Sequence, residues 1–254
     1  MELNYKEFGQ GEPVLILHGL FGTLDNWQTM ARQLAQDYTV YILDQRNHGR
    51  SPHADTHDYP EMAEDLLRFM EQHWMYSGAC VIGHSMGGKT AMQLALKHPE
   101  LVKKLVVVDI APRAYPGNHH EIFDALQSLD LDKIGSRAEA DEALARNIRE
   151  EDVRLFLMKN LTRSKEGGYE FKMNLPVLQR NYDHILAAVE GDQPFEGPAL
   201  FIRGGRSRHI IDADEADILR LFPHARMATI EHAGHWVHAD APAELLALIQ
   251  GFLK

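Results

Sequence analysis

The sequence predicts an α/β fold: a mostly parallel central sheet flanked by helices, with a helical cap inserted late in the chain. Three observations carry that expectation. Short continuous apolar runs at 14–17 (VLIL), 40–43 (VYIL), 80–82 (CVI), 105–108 (LVVV) and 199–202 (ALFI) read as strands buried on both faces. Stretches of helical periodicity separate them, and strands joined through helices pair in parallel by right-handed crossovers. From about Arg113 to Val189 the alternation stops and the pattern is mainly helical. The expected division is a core of residues 1–112 and 191–254 and a cap, or lid, of residues 113–190.

The elements follow in order. Residues 3–8 alternate weakly and suit an edge strand, and 9–13 a turn. The strand at 14–17 ends in His18-Gly19-Leu20-Phe21-Gly22. Residues 25–36 form an expected helix, with Trp27, Met30, Ala31 and Leu34 at helical spacing. The strand at 40–43 runs into the turn-rich Asp44–Pro52 segment. Residues 59–76 are expected to be helical, with Met62, Leu66, Phe69 and Met70 on one side. Strand 80–82 is followed by a helix at 88–97 that Pro99 stops. In the cap, helices are expected at 119–131, 136–148, 151–162 and 181–190, with a small hairpin arm at 167–174. The core resumes with a strand at 198–202, a helix at 213–221, a strand at 226–230 and a closing helix at 243–253. No repeat or low-complexity segment is present.

Composition excludes some roles. The 254 residues suffice for one large domain, or one domain with an insertion, and a substantial core. With 44% hydrophobic and 25% charged residues the chain reads as globular. A net charge of −11 disfavours nucleic acid, whose phosphates it would repel. The single cysteine, Cys80, lies in an apolar strand and reads as a buried, inert thiol, consistent with a reducing compartment. The first residues lack the apolar region of a signal peptide, and no run reaches the roughly 20 apolar residues of a membrane span. The expected location is the cytoplasm.

Chemistry concentrates at Gly83-His84-Ser85-Met86-Gly87, between a strand and a helix. In that context G-x-S-x-G is a nucleophile elbow. The turn is sharp enough to strain the serine backbone, and glycines two residues either side remove Cβ atoms that would meet other backbone. The following helix points its amino end at the site, where negative charge is favoured.

Four segments, HGLFG (18–22), DQRNHGRS (44–51), GHSMGG (83–88) and AGHW (233–236), stand in the order seen in the α/β-hydrolase family. The chain resembles that family over essentially its full length. HGLFG, RNHG, HSMGGK and VVDIAP together resemble its small YbfF-type bacterial esterases. The resemblance implies a hydrolase of carboxylic esters or thioesters with a helical cap, acting on a small acyl substrate without metal or cofactor.

An acyl-transfer serine hydrolase needs a nucleophile, a base, an orienting acid and two oxyanion donors. Ser85 is the expected nucleophile. Of fifteen histidines, His235 follows the last strand in a Gly-flanked loop at the same sheet edge and stands where the family carries its base. His232 and His238 are its neighbours and rivals. His18 and His84 read better as groups holding loop shapes. A metal among His232, His235 and His238 is disfavoured: no H-E-x-x-H and no cysteine supports it. For the acid, the family commonly has G-x-x-D after the strand at 199–202, but here Gly204-Gly205-Arg206-Ser207 ends in serine. The second position the family uses, the end of the strand after the nucleophile strand, is Asp109. The resemblance therefore implies Asp109 as acid with Ser207 as an added hydrogen-bonding partner. Asp212 and Asp214 are the alternatives, and a plain turn aspartate is the other reading of Asp109. Backbone N–H groups of Met86 and Leu20 are the expected oxyanion donors, with Phe21 as a shifted choice. Asp44 and Arg46 read as a structural network.

Phe21 and Trp236 are the candidate substrate-binding residues, with Met86, Phe123 and Phe156 as further lining candidates, each of which also fits a core role. Arg113, Arg154, Arg163 and Arg180 suit either a charged substrate or solvent. Two other readings compete. One is different chemistry on the same triad: carbon–carbon hydrolysis, a menaquinone-pathway-type lyase, or cofactor-free perhydrolysis. The other is a binding protein on the same scaffold, disfavoured because serine and histidine are both present. Dehalogenase and epoxide-hydrolase readings fail because they need aspartate at position 85.

Overall fold

The computed structural model describes residues 1–117 and 119–254. Nine strands and eleven α-helices are found among them, in the order β1 (Tyr5–Phe8), β2 (Glu12–Leu17), α1 (Gln28–Leu34), β3 (Tyr38–Leu43), α2 (Tyr59–Gln72), β4 (Ala79–His84), α3 (Met86–Lys97), β5 (Val102–Val108), α4 (His120–Gln127), α5 (Arg137–Leu144), α6 (Glu151–Met158), β6 (Leu161–Arg163), β7 (Tyr169–Phe171), α7 (Leu175–Arg180), α8 (Tyr182–Leu186), β8 (Ala199–Gly204), α9 (Glu215–Leu221), β9 (Ala225–Ile230), α10 (Val237–Asp240) and α11 (Pro242–Leu253).

Seven strands form one sheet in the order β1-β3-β2-β4-β5-β8-β9. Only β1 runs antiparallel, pairing Tyr5 with Leu43 at the edge. The other six are parallel, so their carboxyl ends share one edge. Side chains alternate between two cores, as the period-2 geometry of strands requires. Val14, Ile16, Ile82, Val106 and Ile202 pack with α1 and α11. Leu15, Leu17, Val81, Leu105 and Phe201 pack with α2, α3 and the segment between β5 and β8. Burial on both faces explains the uninterrupted apolar runs.

Helix α2 starts cleanly because the Asp58 carboxylate accepts the Glu61 N–H at 2.9 Å and Pro60 occupies the first turn. It ends at Gln72, short of the expected residue 76, where Trp74 adopts φ 59°. The helix expected at 25–36 begins instead as a 3-10 turn, Leu24–Trp27, before α1.

Between β5 and β8 the structure is mainly helical, but its elements are shorter than periodicity suggests. Residues 161 and 162, expected to end a helix, lie instead in β6, which pairs antiparallel with β7, Leu161 opposite Phe171. The helix expected at 181–190 is shortened to α8, which ends at Leu186, and a further short helix, α7, precedes it with Pro176 in its first turn. Among the described residues, no helix is long and apolar enough to cross a membrane.

Candidate active site

Ser85 sits at the tip of the β4–α3 turn with φ 53° and ψ −121°, a strained conformation for a residue with a side chain. The turn is tight enough to exclude side chains beside it. A Cβ on Gly83 would lie 2.1 Å from the Gly87 carbonyl oxygen, and one on Gly87 would lie 2.5 Å from that of His18. The Ser85 N–H is anchored to the Val108 carbonyl at 3.0 Å.

The parallel order brings the ends of four consecutive strands together. Ser85 follows β4, Asp109 follows β5, Ser207 lies beyond β8, and His235 lies beyond β9. His235 Nδ1 is 2.8 Å from Asp109 Oδ2 and its Nε2 is 3.0 Å from Ser85 Oγ. A carboxylate only accepts, so Nδ1 carries the proton and Nε2 is free to accept from the hydroxyl. Asp109, fully buried with φ 52°, also accepts the Gly204 N–H at 3.0 Å and the Ser207 hydroxyl at 2.5 Å. His84 Nε2 donates to the His235 carbonyl at 2.8 Å and holds that loop.

Burial sets the charge state. It pulls His235 down to about 3, helped by His119 and His238, so the ring is neutral near pH 7. It pushes Asp109 up to about 6, against the opposing pull of the Ser207 and Gly204 hydrogen bonds. Burial disfavours charge on both groups, and at pH 7 this leaves a neutral ring donating its Nδ1–H to an ionised carboxylate at 2.8 Å.

The alternatives lie elsewhere. Asp214 pairs with Arg113 at 2.7 Å and Asp212 with Arg203 at 2.5 Å. His232 faces Glu244 at 3.4 Å, and His238 stacks on Trp27 with centroids 5.0 Å apart. His18 donates to the Gly19 carbonyl at 2.8 Å and accepts the Gln45 N–H at 3.0 Å. Asp44 accepts from Leu24 N and Arg50 N, while Arg46 pairs with Asp65 and Glu61. Both belong to a structural network.

The loop after β2 lies directly against Ser85: a Cβ on Gly19 would be 3.2 Å from that of Ser85. Phe21, at φ 60°, already donates its N–H to His48 Nε2 at 3.2 Å. No protein acceptor among the described residues takes the Leu20 or Met86 N–H. The loop is braced from across the site by Asn160, a buried side chain whose Nδ2 donates to the Phe21 carbonyl at 2.6 Å.

A cavity of about 330 Å³ opens over Ser85. Leu20, Phe21, Met86, Phe156 and Trp236 line it, with the Phe156 and Trp236 rings 5.2 Å apart. Phe123 is core, packed edge-on to Phe21. No described carboxylate lines the cavity, although the chain carries a net charge of −11. Arg113 lines it, whereas Arg154 pairs with Asp141, Arg163 lies over Tyr169 and Arg180 reaches Asp55.

Three residues at the site receive no role from the sequence, although Lys89 closes the HSMGGK segment. Besides Asn160, Lys89 is buried on α3 one turn after Ser85 and donates to the carbonyls of Arg113 (2.8 Å), Leu186 (3.4 Å) and Ala187 (2.5 Å). Burial and the Arg113 charge pull its ammonium down to about 7. His209 stacks on His235 with centroids 3.6 Å apart and planes inclined by 19°. Asp109, His209 and His235 also present ligand atoms within 4.8 Å of one another. Yet near-parallel stacked rings aim their nitrogen lone pairs side by side rather than at one point, and Asp109 and His235 are already bonded to each other.

A family model described as the alpha/beta hydrolase fold matches residues 12–147. The chain belongs to that family. Esterase YbfF of Escherichia coli (strain K12) is 39% identical over 243 residues, spanning 95% of this chain and 93% of that one. The sn-1-specific diacylglycerol lipase ABHD11 of Danio rerio is 38% identical over 266 residues, spanning 100% of this chain and 83% of that one. A solved structure titled marine microorganism esterase superposes with a TM-score of 0.96 at 42% identity, covering 99% of both chains. With relatives of this kind over its whole length, the chain is a hydrolase of the esterase and lipase type.

Proposed function

We propose that this hydrolase cleaves carboxylic esters, and acyl thioesters by the same route, through an acyl-enzyme formed on Ser85. The continuous hydrogen-bond path from Ser85 through His235 to Asp109 carries the reading. The names of the relatives, an esterase and a diacylglycerol lipase, support an ester substrate.

In this mechanism Ser85 Oγ bonds to the acyl carbon while His235 Nε2 takes its proton. The carbonyl oxygen becomes an oxyanion that the N–H groups of Met86 and Leu20 hold. Losing one such donor typically costs about 3 kcal/mol of barrier. The tetrahedral species collapses, the bond to the leaving alcohol or thiol breaks, and that group takes the proton from His235. Water then attacks the acyl-enzyme, giving its proton to His235. Ser85 recovers the proton as the acid departs. Asp109 remains ionised and stabilises the imidazolium, and Ser207 holds Asp109 in place. Phe21 and Trp236 line the substrate side. Residues 113–190 serve as the lid, a role supported by the cavity-lining Tyr115, Phe156 and Tyr182 within them.

The test is fluorophosphonate labelling of the wild type and Ser85→Ala, beside hydrolysis of p-nitrophenyl esters of graded chain length. Labelling and hydrolysis are expected in the wild type and absent from Ser85→Ala. A folded wild type that neither labels nor hydrolyses would overturn the reading.

A further inference from the structure

Three hydrogen-bonding atoms converge on Ser207 Oγ. Its one proton goes to Asp109 Oδ2 at 2.5 Å, so its remaining contacts are as an acceptor. The His209 backbone N–H reaches it at 3.2 Å and the His209 ring Nδ1 at 3.1 Å. His209 Nδ1 therefore carries the ring proton, and the same nitrogen stands 3.8 Å from Asp109 Oδ2. The ring lies flat on His235, with centroids 3.6 Å apart and planes 19° from parallel.

The loop that carries His209 is held on several sides. The Tyr115 hydroxyl donates to the His209 carbonyl, and the two rings lie 5.7 Å apart. Arg206 N–H reaches the Ala233 carbonyl at 2.9 Å, and Ile211 N–H reaches Asp214 at 2.9 Å. On its other contacts, His235 meets His84, with centroids 4.8 Å apart and planes at 42°. Among the described residues, His209 is thus the one ring lying nearly parallel to His235.

We propose that His209 is a positioning residue for acyl transfer: its ring fixes the plane of His235 along the line from Asp109 to Ser85 and offers its π face to the imidazolium formed there. The inference rests on the assignment of His235 as the base. Neutrality suits this task, because a charged neighbour would repel the imidazolium. Burial and the nearby His235 hold His209 down at about 3. An aromatic face against a forming cation in a desolvated site is worth a several-fold to tenfold effect on its population.

Two variants separate the ring face from the Ser207 contact. His209→Ala removes the face and the ring's bond to Ser207, His209→Phe keeps the face alone, and both leave the backbone N–H contact in place. Each is compared with wild type for kcat and KM on p-nitrophenyl acetate, with circular dichroism to establish folding. We expect His209→Ala to lower kcat about tenfold with KM changed less than twofold, and His209→Phe to recover most of the loss. Wild-type kcat in a folded His209→Ala overturns the proposal. So does a loss confined to KM, which would assign the ring to substrate binding. So does His209→Phe falling as far as His209→Ala. The underlying triad is read separately: it fails if Ser85→Ala keeps hydrolysis, whatever the His209 variants do.

Discussion

The Ser207 hydroxyl donates to Asp109 Oδ2 at 2.5 Å across 98 positions of sequence. A serine cannot supply the charge of an aspartate at its position, but it steadies the carboxylate that the neighbouring strand provides. Its bond favours the ionised form of Asp109 against burial. Removing it in Ser207→Ala should raise the Asp109 pKa further and move the acid limb of the kcat/KM profile to higher pH. We expect about a tenfold loss of kcat/KM, the worth of a hydrogen bond to a charged group. An unmoved acid limb would count against the assignment.

Asp109→Asn should trade activity for stability. Burial raises the Asp109 pKa in the folded protein to about 6, above the ordinary carboxylate value of 3.8. Between those values the folded state binds more protons than the unfolded one, so stability falls as pH rises through the window. At pH 7 the buried carboxylate is a burden that asparagine does not carry. The expected result is a Tm equal to or above wild type at pH 7, that difference shrinking below pH 4, with kcat lower by about four orders of magnitude. Scanning calorimetry at the two pH values, read beside esterase assays, checks both halves.

Acid should unfold the protein from pH 6.5 downward. Burial holds His18, His48, His57, His84, His119, His209, His235 and His238 below the ordinary 6.5. Below 6.5 the unfolded chain protonates these rings while the folded chain does not, so each costs up to about 1.4 kcal/mol per pH unit until its folded pKa is reached. For His57, His209 and His235 that lower bound is about 3. A Tm series from pH 8 to pH 4 should show a break near 6.5 and a steep fall below it. A flat series down to pH 5 would contradict the account.

Asn160→Ala should weaken, from a distance, the loop after β2 that we propose holds the oxyanion. The side chain touches no reacting atom, yet its Nδ2 holds the Phe21 carbonyl at 2.6 Å. Losing the bond should destabilise the fold by about 1–2 kcal/mol and lower kcat more than it raises KM. Steady-state kinetics and urea unfolding together measure both effects.

The sheet was legible because its strands are buried on both faces, which leaves uninterrupted apolar runs such as VLIL and LVVV. Of the four side chains that meet at the carboxyl edge, Ser85 and His235 stand in glycine-flanked turns after strands, whereas Asp109 and Ser207 are expected only through the family resemblance, with Asp212 and Asp214 as alternatives. The segment between β5 and β8 was harder. Its element ends are set by tertiary contacts, as where Tyr169 N–H takes the Leu131 carbonyl at 2.9 Å and residues 161 and 162 leave the expected helix for strand. His209, Lys89 and Asn160 act through partners distant in sequence, so periodicity announces none of them, and the HSMGGK segment that contains Lys89 does not tell what its ammonium holds.

Lys89 holds the Arg113 carbonyl on one side and those of Leu186 and Ala187 on the other, so one ammonium ties the two necks of the intervening chain. A protein with a single cysteine has no covalent staple for so long a loop. Here a proton-bearing nitrogen acts as a non-covalent cross-link, and closing a long loop removes conformational freedom only slowly dependent on its length. Unlike a disulfide, this tie is graded. With its pKa drawn to about 7, the amine above that pH keeps two N–H donors for three carbonyls, and the staple slackens by one strand rather than breaking.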